Sequence, residues 1–237
     1  MISSGCTPEP SRGAEEAGLE PPAASEGSGD AGRDSIREIS PPLVLFVGTS
    51  LTEGLGLGDP AEEAWPARIE VRAREAGLLL RFRNAGLSGE TSAGALRRLD
   101  WILQEAPALV VLETGANDGL RGLPVSQLEE NLDRILSLLE ERAPRARVVL
   151  AGMEAPPNLG PGYASAFREV YPRVAERWGA QLIPFLLDGI AGVPELNQMD
   201  RIHPTADGHN RMADVAWPIL APLLRETARV LDEGASP

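Results

Sequence analysis

Lysine is absent from this chain of 237 residues, so all 22 of its basic side chains are arginine. Cysteine occurs once, at Cys6, and histidine twice, at His203 and His209. A single cysteine excludes an intramolecular disulfide and a cysteine-rich metal site, and two histidines leave an imidazole- or thiolate-based metal centre short of ligands. The residues thus imply no metal and no organic cofactor. No apolar run approaches the roughly 20 residues that an integral membrane span requires. Basic runs are missing as well. The 35 acidic residues set a net charge of −13, which argues against nucleic acid or an anionic membrane as the main partner.

Aromatic residues are missing before Phe46, where Ser, Gly, Pro, Ala and Glu dominate. Such a stretch cannot bury enough apolar surface to offset its ordering entropy. Residues 1–41 therefore read as a disordered acidic segment and residues 42–232 as one α/β domain. Cys6 followed by a flexible acidic linker is similar to the mature end of a bacterial lipoprotein. On that reading the protein is periplasmic or otherwise extracytoplasmic, with a lipid tether at Cys6. Ser3-Ser4-Gly5-Cys6 lacks the aliphatic residue of a good lipobox, however, and an apolar signal region is missing. The alternatives are an ordinary thiol in a disordered tail and, with the chain start as it stands, a cytoplasmic protein.

What the body does contain is alternation. Continuous apolar runs at Leu43–Val47, Ala108–Leu112 and Arg147–Ala151 read as strands buried on both faces, with weaker strands at Leu79–Arg83 and Gln181–Pro184. Helical spacing covers 61–76, 92–104, 125–142, 164–178 and 206–231, the last bent or broken near Pro218 and Pro222. Strands alternating with helices imply a parallel sheet covered on both faces, with functional groups beyond the carboxyl ends of the strands.

Chemistry-bearing residues fall at those ends. Ser50, in Gly48-Thr49-Ser50, follows the first strand and is either a nucleophile or a helix cap. Asp200-Arg201-Ile202-His203 lies far downstream. Imidazole is suited to act as a base near neutral pH, and an aspartate three residues away can orient it from the same turn. Those three residues point to serine hydrolysis. Gly89 sits in a glycine-containing loop after the second strand, where backbone N–H groups can approach a ligand. Asn117, after the third, can donate to a developing oxyanion. Asp118 reads as a turn former, and His209, at the start of the last helix, as a surface or capping residue.

Together the four segments resemble the SGNH, or GDSL, hydrolase superfamily, closest to its bacterial thioesterase, lysophospholipase and arylesterase branch. Ala64-Trp65-Pro66-Ala67, Leu87-Ser88-Gly89-Glu90-Thr91-Ser92, Asn117-Asp118-Gly119-Leu120-Arg121-Gly122 and Ile202-His203-Pro204 carry the likeness. It implies a flavodoxin-like three-layer α/β/α sandwich with a mainly parallel five-stranded sheet. It also implies Ser50 as nucleophile, His203 as base and Asp200 as its orienting acid. The N–H groups of Ser50 and Gly89 and the Asn117 side chain would form the oxyanion hole. Two positions depart from the family pattern: Thr49 replaces an aspartate beside the serine, and Ala116 replaces a glycine. The expected substrate is a small acyl ester, thioester or lysophospholipid, hydrolysed through an acyl-serine. Leu120 and Leu123 on one side, and Leu159 and Tyr163 on the other, are expected to line the acyl site. A carbohydrate O-deacetylase on the same fold is the alternative, favoured by a shallow polar cleft. Retention of both Ser50 and His203 argues against a non-catalytic ligand-binding lipoprotein.

Overall fold

A computed structural model describes residues 40–234; residues 1–39, with Cys6 and the lipidation expected there, and 235–237 lie outside the described residues. Five strands, β1 (Leu43–Gly48), β2 (Arg81–Gly86), β3 (Leu109–Glu113), β4 (Arg147–Ala151) and β5 (Gln181–Ile183), form one parallel sheet in the order β2-β1-β3-β4-β5. Every residue of β1 and β3 is buried, which is why those segments read as unbroken apolar runs rather than alternating ones. Strand order reverses between β1 and β3. The loops leaving these two strands diverge to opposite faces and open a crevice between them.

Among the described residues there are eight α-helices: α1 (Ser50–Glu53), α2 (Pro60–Glu63), α3 (Trp65–Glu75), α4 (Ser92–Ile102), α5 (Ala116–Leu120), α6 (Val125–Arg142), α7 (Pro161–Trp178) and α8 (Ala206–Gly234). Helix α3 packs on α8, while α6 packs on both α4 and α7, giving the three layers expected. Phe46, Trp65 and Ile69 fill one side of the core, and Leu128, Phe167 and Tyr171 the other.

Three local expectations are revised. The second strand starts at Arg81, not Leu79, because its register with β1 begins at the Leu43–Arg81 pair; Leu79 is exposed ahead of it. The helix expected over 61–76 is interrupted at Ala64, whose backbone is extended. Pro66, two residues on, has no N–H to give and so sits at the start of a new helix, where none is needed. Helix α8, expected to be bent or broken near Pro218 and Pro222, is not broken there and runs through both prolines. Pro218, Pro222 and Asp214 are all exposed, so the carbonyls left without a partner at 214 and 218 face water. The opposite face of α8 buries Met212, Ala216 and Leu220 against the sheet.

His209 joins the two helices of one layer. Its Nδ1 accepts the Trp65 backbone N–H at 3.2 Å, capping the first turn of α3. Burial depresses its pKa from 6.5 to about 4, the nearby His203 adding to this and Glu63 opposing it. A depressed basic group leaves the unfolded chain holding the extra proton, so stability is full above 6.5 and is lost as pH falls through about 4. The loss over that window should be on the order of 3 kcal/mol. Thermal melts between pH 7 and 4 should therefore show a falling Tm that His209→Gln flattens while esterolysis persists. An equal fall in the variant would place the pH sensitivity elsewhere.

Candidate active site

The turn after β1 is built around a glycine that nothing can replace. A Cβ on Gly48 would lie 2.0 Å from Thr52 Oγ1 and 2.7 Å from Glu113 Oε2. Into the space this glycine leaves, β3 sends its terminal residue, Glu113, which is completely buried. Its carboxyl accepts the Thr49 N–H at 2.8 Å, the Thr49 hydroxyl at 3.0 Å and the Thr52 hydroxyl at 2.9 Å. Thr49 and Thr52 flank Ser50, so the serine's backbone is clamped from below. Ser50 is the first residue of α1, and Thr49 rather than Ser50 occupies the cap position. The serine N–H has no intrahelical partner there.

The Ser50 hydroxyl is directed at a histidine 153 residues away: Oγ lies 3.0 Å from His203 Nε2. The other ring nitrogen, Nδ1, lies 2.6 Å from Asp200 Oδ2. Asp200 Oδ1 meanwhile accepts the N–H groups of Ile202 and His203, each at 3.0 Å. Arg201 between them takes φ 58°, the one non-glycine residue at positive φ among those described; this tight turn brings aspartate and imidazole face to face. Chiefly the His203 bond, with the Ile202 N–H, lowers the Asp200 pKa from 3.8 to about 2. Its carboxylate contributes to stability above the ordinary value, and that contribution is lost as pH falls through about 2.

Two residues that sequence reasoning missed hold this loop. Gln198 donates from Nε2 to Leu55 O at 2.8 Å and Pro204 O at 2.9 Å, and its N–H reaches His203 O at 2.7 Å. Asn197 donates from Nδ2 to Ile190 O at 2.6 Å and Val193 O at 2.7 Å. Both occupy an irregular stretch with no periodicity to mark them. His209 is engaged with Trp65 and takes no part.

Asn117 reaches the same cavity as Ser50. One N–H of its amide is held by Glu90 O at 2.9 Å, leaving the second donor for a ligand. The chain gets there because Gly115, at φ 100°, turns β3 into α5; a Cβ at Gly115 would lie 2.3 Å from Tyr171 Oη. Gly89 has φ 75° and borders an adjoining depression, its carbonyl held by Arg121 Nη2 at 2.8 Å. Arg98, unremarked in the sequence, pairs with Glu90 at 2.5 Å and donates to Ala85 O at 2.8 Å, tying the Gly89 loop to the end of β2. Asp118 is structural, as expected, but as a helix cap: it accepts the Ser92 N–H at 2.8 Å and the Ser92 hydroxyl at 2.6 Å at the start of α4. This second serine–aspartate pair is buried and has no histidine, so it lacks a base.

A cavity of about 360 Å³ opens beside Ser50. Leu120, Met153, Ala155, Pro156, Phe185 and Leu187 are among the apolar side chains of its wall. Of the four side chains expected to line it, only Leu120 does. Tyr163 points away, donating to Leu123 O at 2.7 Å, and Leu159 stands 3.4 Å from the place of a Cβ on Gly122. Leu123, Leu159 and Tyr163 are absent from the cavity lining, and Leu159 and Tyr163 pack against the core. Their cavity counterparts come from the ends of β4 and β5.

The family model for GDSL-like lipase/acylhydrolases matches residues 46–211. The chain belongs to this family. Esterase TesA of Pseudomonas aeruginosa is 43% identical over 182 residues, covering 76% of this chain and 89% of that protein. Thioesterase 1/protease 1/lysophospholipase L1 of Escherichia coli K12 is 34% identical over 191 residues, 80% of this chain and 88% of that one. A crystal structure of TesA matches with a TM-score of 0.72 at 42% identity, over 76% of this chain and 99% of that one. The protein is accordingly a serine-type carboxylic ester hydrolase. Among the described residues no helix is long and apolar enough to cross a membrane, and no cluster of His, Cys, Asp or Glu is placed to hold a metal ion.

Thr49, which departs from the family's common aspartate before the serine, rests on the buried carboxyl of Glu113. Burial pushes the Glu113 carboxyl up from 4.5, the bonds from Thr49 and Thr52 pulling the other way without cancelling it. Its contribution to stability is full below 4.5 and declines as pH rises through the raised value. Each buried donor left unpaired costs about 1–3 kcal/mol. Glu113→Ala, which strands three donors, should lower the urea midpoint sharply, whereas Glu113→Gln should keep the turn and flatten the decline above pH 4.5. Equal midpoints for Ala and wild type would show that the clamp is dispensable.

Proposed function

We propose that the protein hydrolyses carboxylic esters of apolar acyl groups, and the corresponding thioesters and lysophospholipids, through an acyl-serine intermediate. Ser50 attacks the acyl carbon while His203 Nε2 takes its proton. The tetrahedral oxygen is met by the N–H groups of Ser50 and Gly89 and the free N–H of Asn117. His203 then returns the proton to the departing alcohol or thiol, and a water activated by the same imidazole releases the acid. Asp200 fixes the imidazole tautomer and stabilises its charged form. The reading is carried by one observation: Ser50 Oγ, 3.0 Å from His203 Nε2, stands at the wall of an apolar cavity. That lining supports a fatty acyl group over the acetyl of a sugar ester, which needs a polar cleft.

The three residues should act as a unit. Ser50→Ala and His203→Ala should each lower kcat/KM on p-nitrophenyl butyrate by on the order of 10⁴-fold without loss of fold, and Asp200→Asn by less. Full activity of His203→Ala would refute the assignment.

Acyl length should be read by the cavity wall. Each buried methylene can contribute up to ~0.8 kcal/mol, so kcat/KM should climb over several carbons. Leu120→Ala and Phe185→Ala should flatten that climb and spare acetyl esters, while Leu123→Ala should leave the profile as it is. A flattened profile in Leu123→Ala alone would move the acyl site to the other side of the loop.

A further inference from the structure

Seven large apolar side chains are exposed among the described residues, and five of them, Leu55, Leu87, Leu120, Met199 and Ile202, stand on loops or, for Leu120, at the end of α5, at the carboxyl edge of the sheet. The other two, Leu79 and Trp101, lie just before β2 and at the end of α4, away from that edge. The five surround the site. Leu120 and Ile202 line the Ser50 cavity and Leu87 the depression beside Gly89. Leu55 is joined to the loop of Met199 by the Gln198 bond at 2.8 Å. Met199 has 102% of its reference surface exposed, so no packing among the described residues accounts for a thioether there. Five apolar side chains protruding from three loops and the end of α5 make no groove for a peptide or helix. They make a set of short anchors around an opening.

Arginines stand among these apolar side chains. Arg121 and Arg97 border the depression beside Gly89, Arg201 lines the cavity, and none of the three has an ion-pair partner among the described residues. Four carboxylates along the same edge are bonded to neighbouring groups of the chain: Glu53 to Ser88, Glu90 to Arg98, Glu154 to Arg168 and Asp200 to His203. Guanidinium groups spaced among apolar anchors match a phospholipid surface, where phosphates overlie acyl chains. The overall charge of −13 opposes a strongly anionic surface and leaves a zwitterionic one.

We propose that the rim formed by Leu55, Leu87, Leu120, Met199 and Ile202, with Arg97, Arg121 and Arg201, docks the protein on a zwitterionic phospholipid surface. The opening beside Ser50 then faces the acyl phase, and an ester can enter the cavity without crossing water. Docking rests on the surface alone; its use in catalysis rests on the esterase reading above.

The test uses the full-length Ser50→Ala protein, which leaves lipid intact, sedimented with sucrose-loaded phosphatidylcholine vesicles. Binding is expected, and adding Leu87→Gln and Met199→Gln should weaken it at least about tenfold, since each anchor is worth more than the 1.4 kcal/mol that a factor of ten represents. Leu55→Gln with Leu87→Gln is a second pair that should do the same. In the Ser50 background the Leu87→Gln/Met199→Gln protein should keep its kcat/KM on soluble p-nitrophenyl butyrate, which also reports its fold, and lose rate on long-chain esters dispersed in vesicles. Failure of Ser50→Ala to sediment, or equal sedimentation of both anchor variants, would overturn the proposal. So would a dimer in sedimentation velocity that the anchor substitutions dissolve, because the rim would then belong to a second copy. Sedimentation without any ester hydrolysis by the unmodified protein would instead retain the docking and refute the esterase reading.

Discussion

One buried carboxyl group organises this active site. Glu113 ends a strand of otherwise apolar residues, yet it is directed into the turn at the end of the neighbouring strand and takes up three donors there. Parallel β1 and β3 lie at the switch in strand order, so their connecting loops separate. A crevice opened in that way is also a place where backbone groups lose partners. Glu113 supplies those partners to Thr49 and Thr52, and Gly48 makes the room. Ser50 is thereby held on a fixed backbone between two clamped threonines, its hydroxyl free to meet the imidazole.

The rest of the site is assembled by backbone acceptors rather than by long side-chain networks. Asp200 caps its own loop through two N–H groups, and that local turn alone sets the aspartate–imidazole geometry. Gln198 then fastens the loop to Leu55, just past the serine helix, so the two halves of the pair are tied on both sides of the crevice. On the opposite side Glu90 does two jobs at once. Its carboxylate is neutralised by Arg98, and its carbonyl orients the amide of Asn117. Stability and catalysis draw on the same hydrogen bonds here, because irregular loops have no ladder of their own to satisfy buried polar groups.

The two histidines show how environment divides identical side chains. His209 lies beneath a helix start, buried and held neutral, its imidazole spent on the Trp65 N–H. His203 stands partly open at the crevice with a carboxylate on one nitrogen and a hydroxyl on the other. Only the second arrangement can accept a proton and stabilise the charge that results.

Neighbours along the chain were enough to read the alternation of strands and helices and the parallel sheet, and to propose Ser50, Asp200 and His203 as a triad. Periodicity and the three-residue offset of aspartate and histidine are properties of short segments. The bounds of β2, the break at Ala64 and the unbroken course of α8 were not readable in that way, since they depend on strand register, on a proline falling at a helix start and on which face of a helix meets water. Tertiary structure alone decided that Glu113 answers Thr49 across 64 residues and that Arg98 braces the Gly89 loop. It also decided that Leu120 rather than Leu123 faces the cavity, with Met153 and Phe185 opposite. A leucine in a loop looks the same whether it points into a site or behind it. The difference is made by what packs on its other side, and that partner comes from elsewhere in the chain.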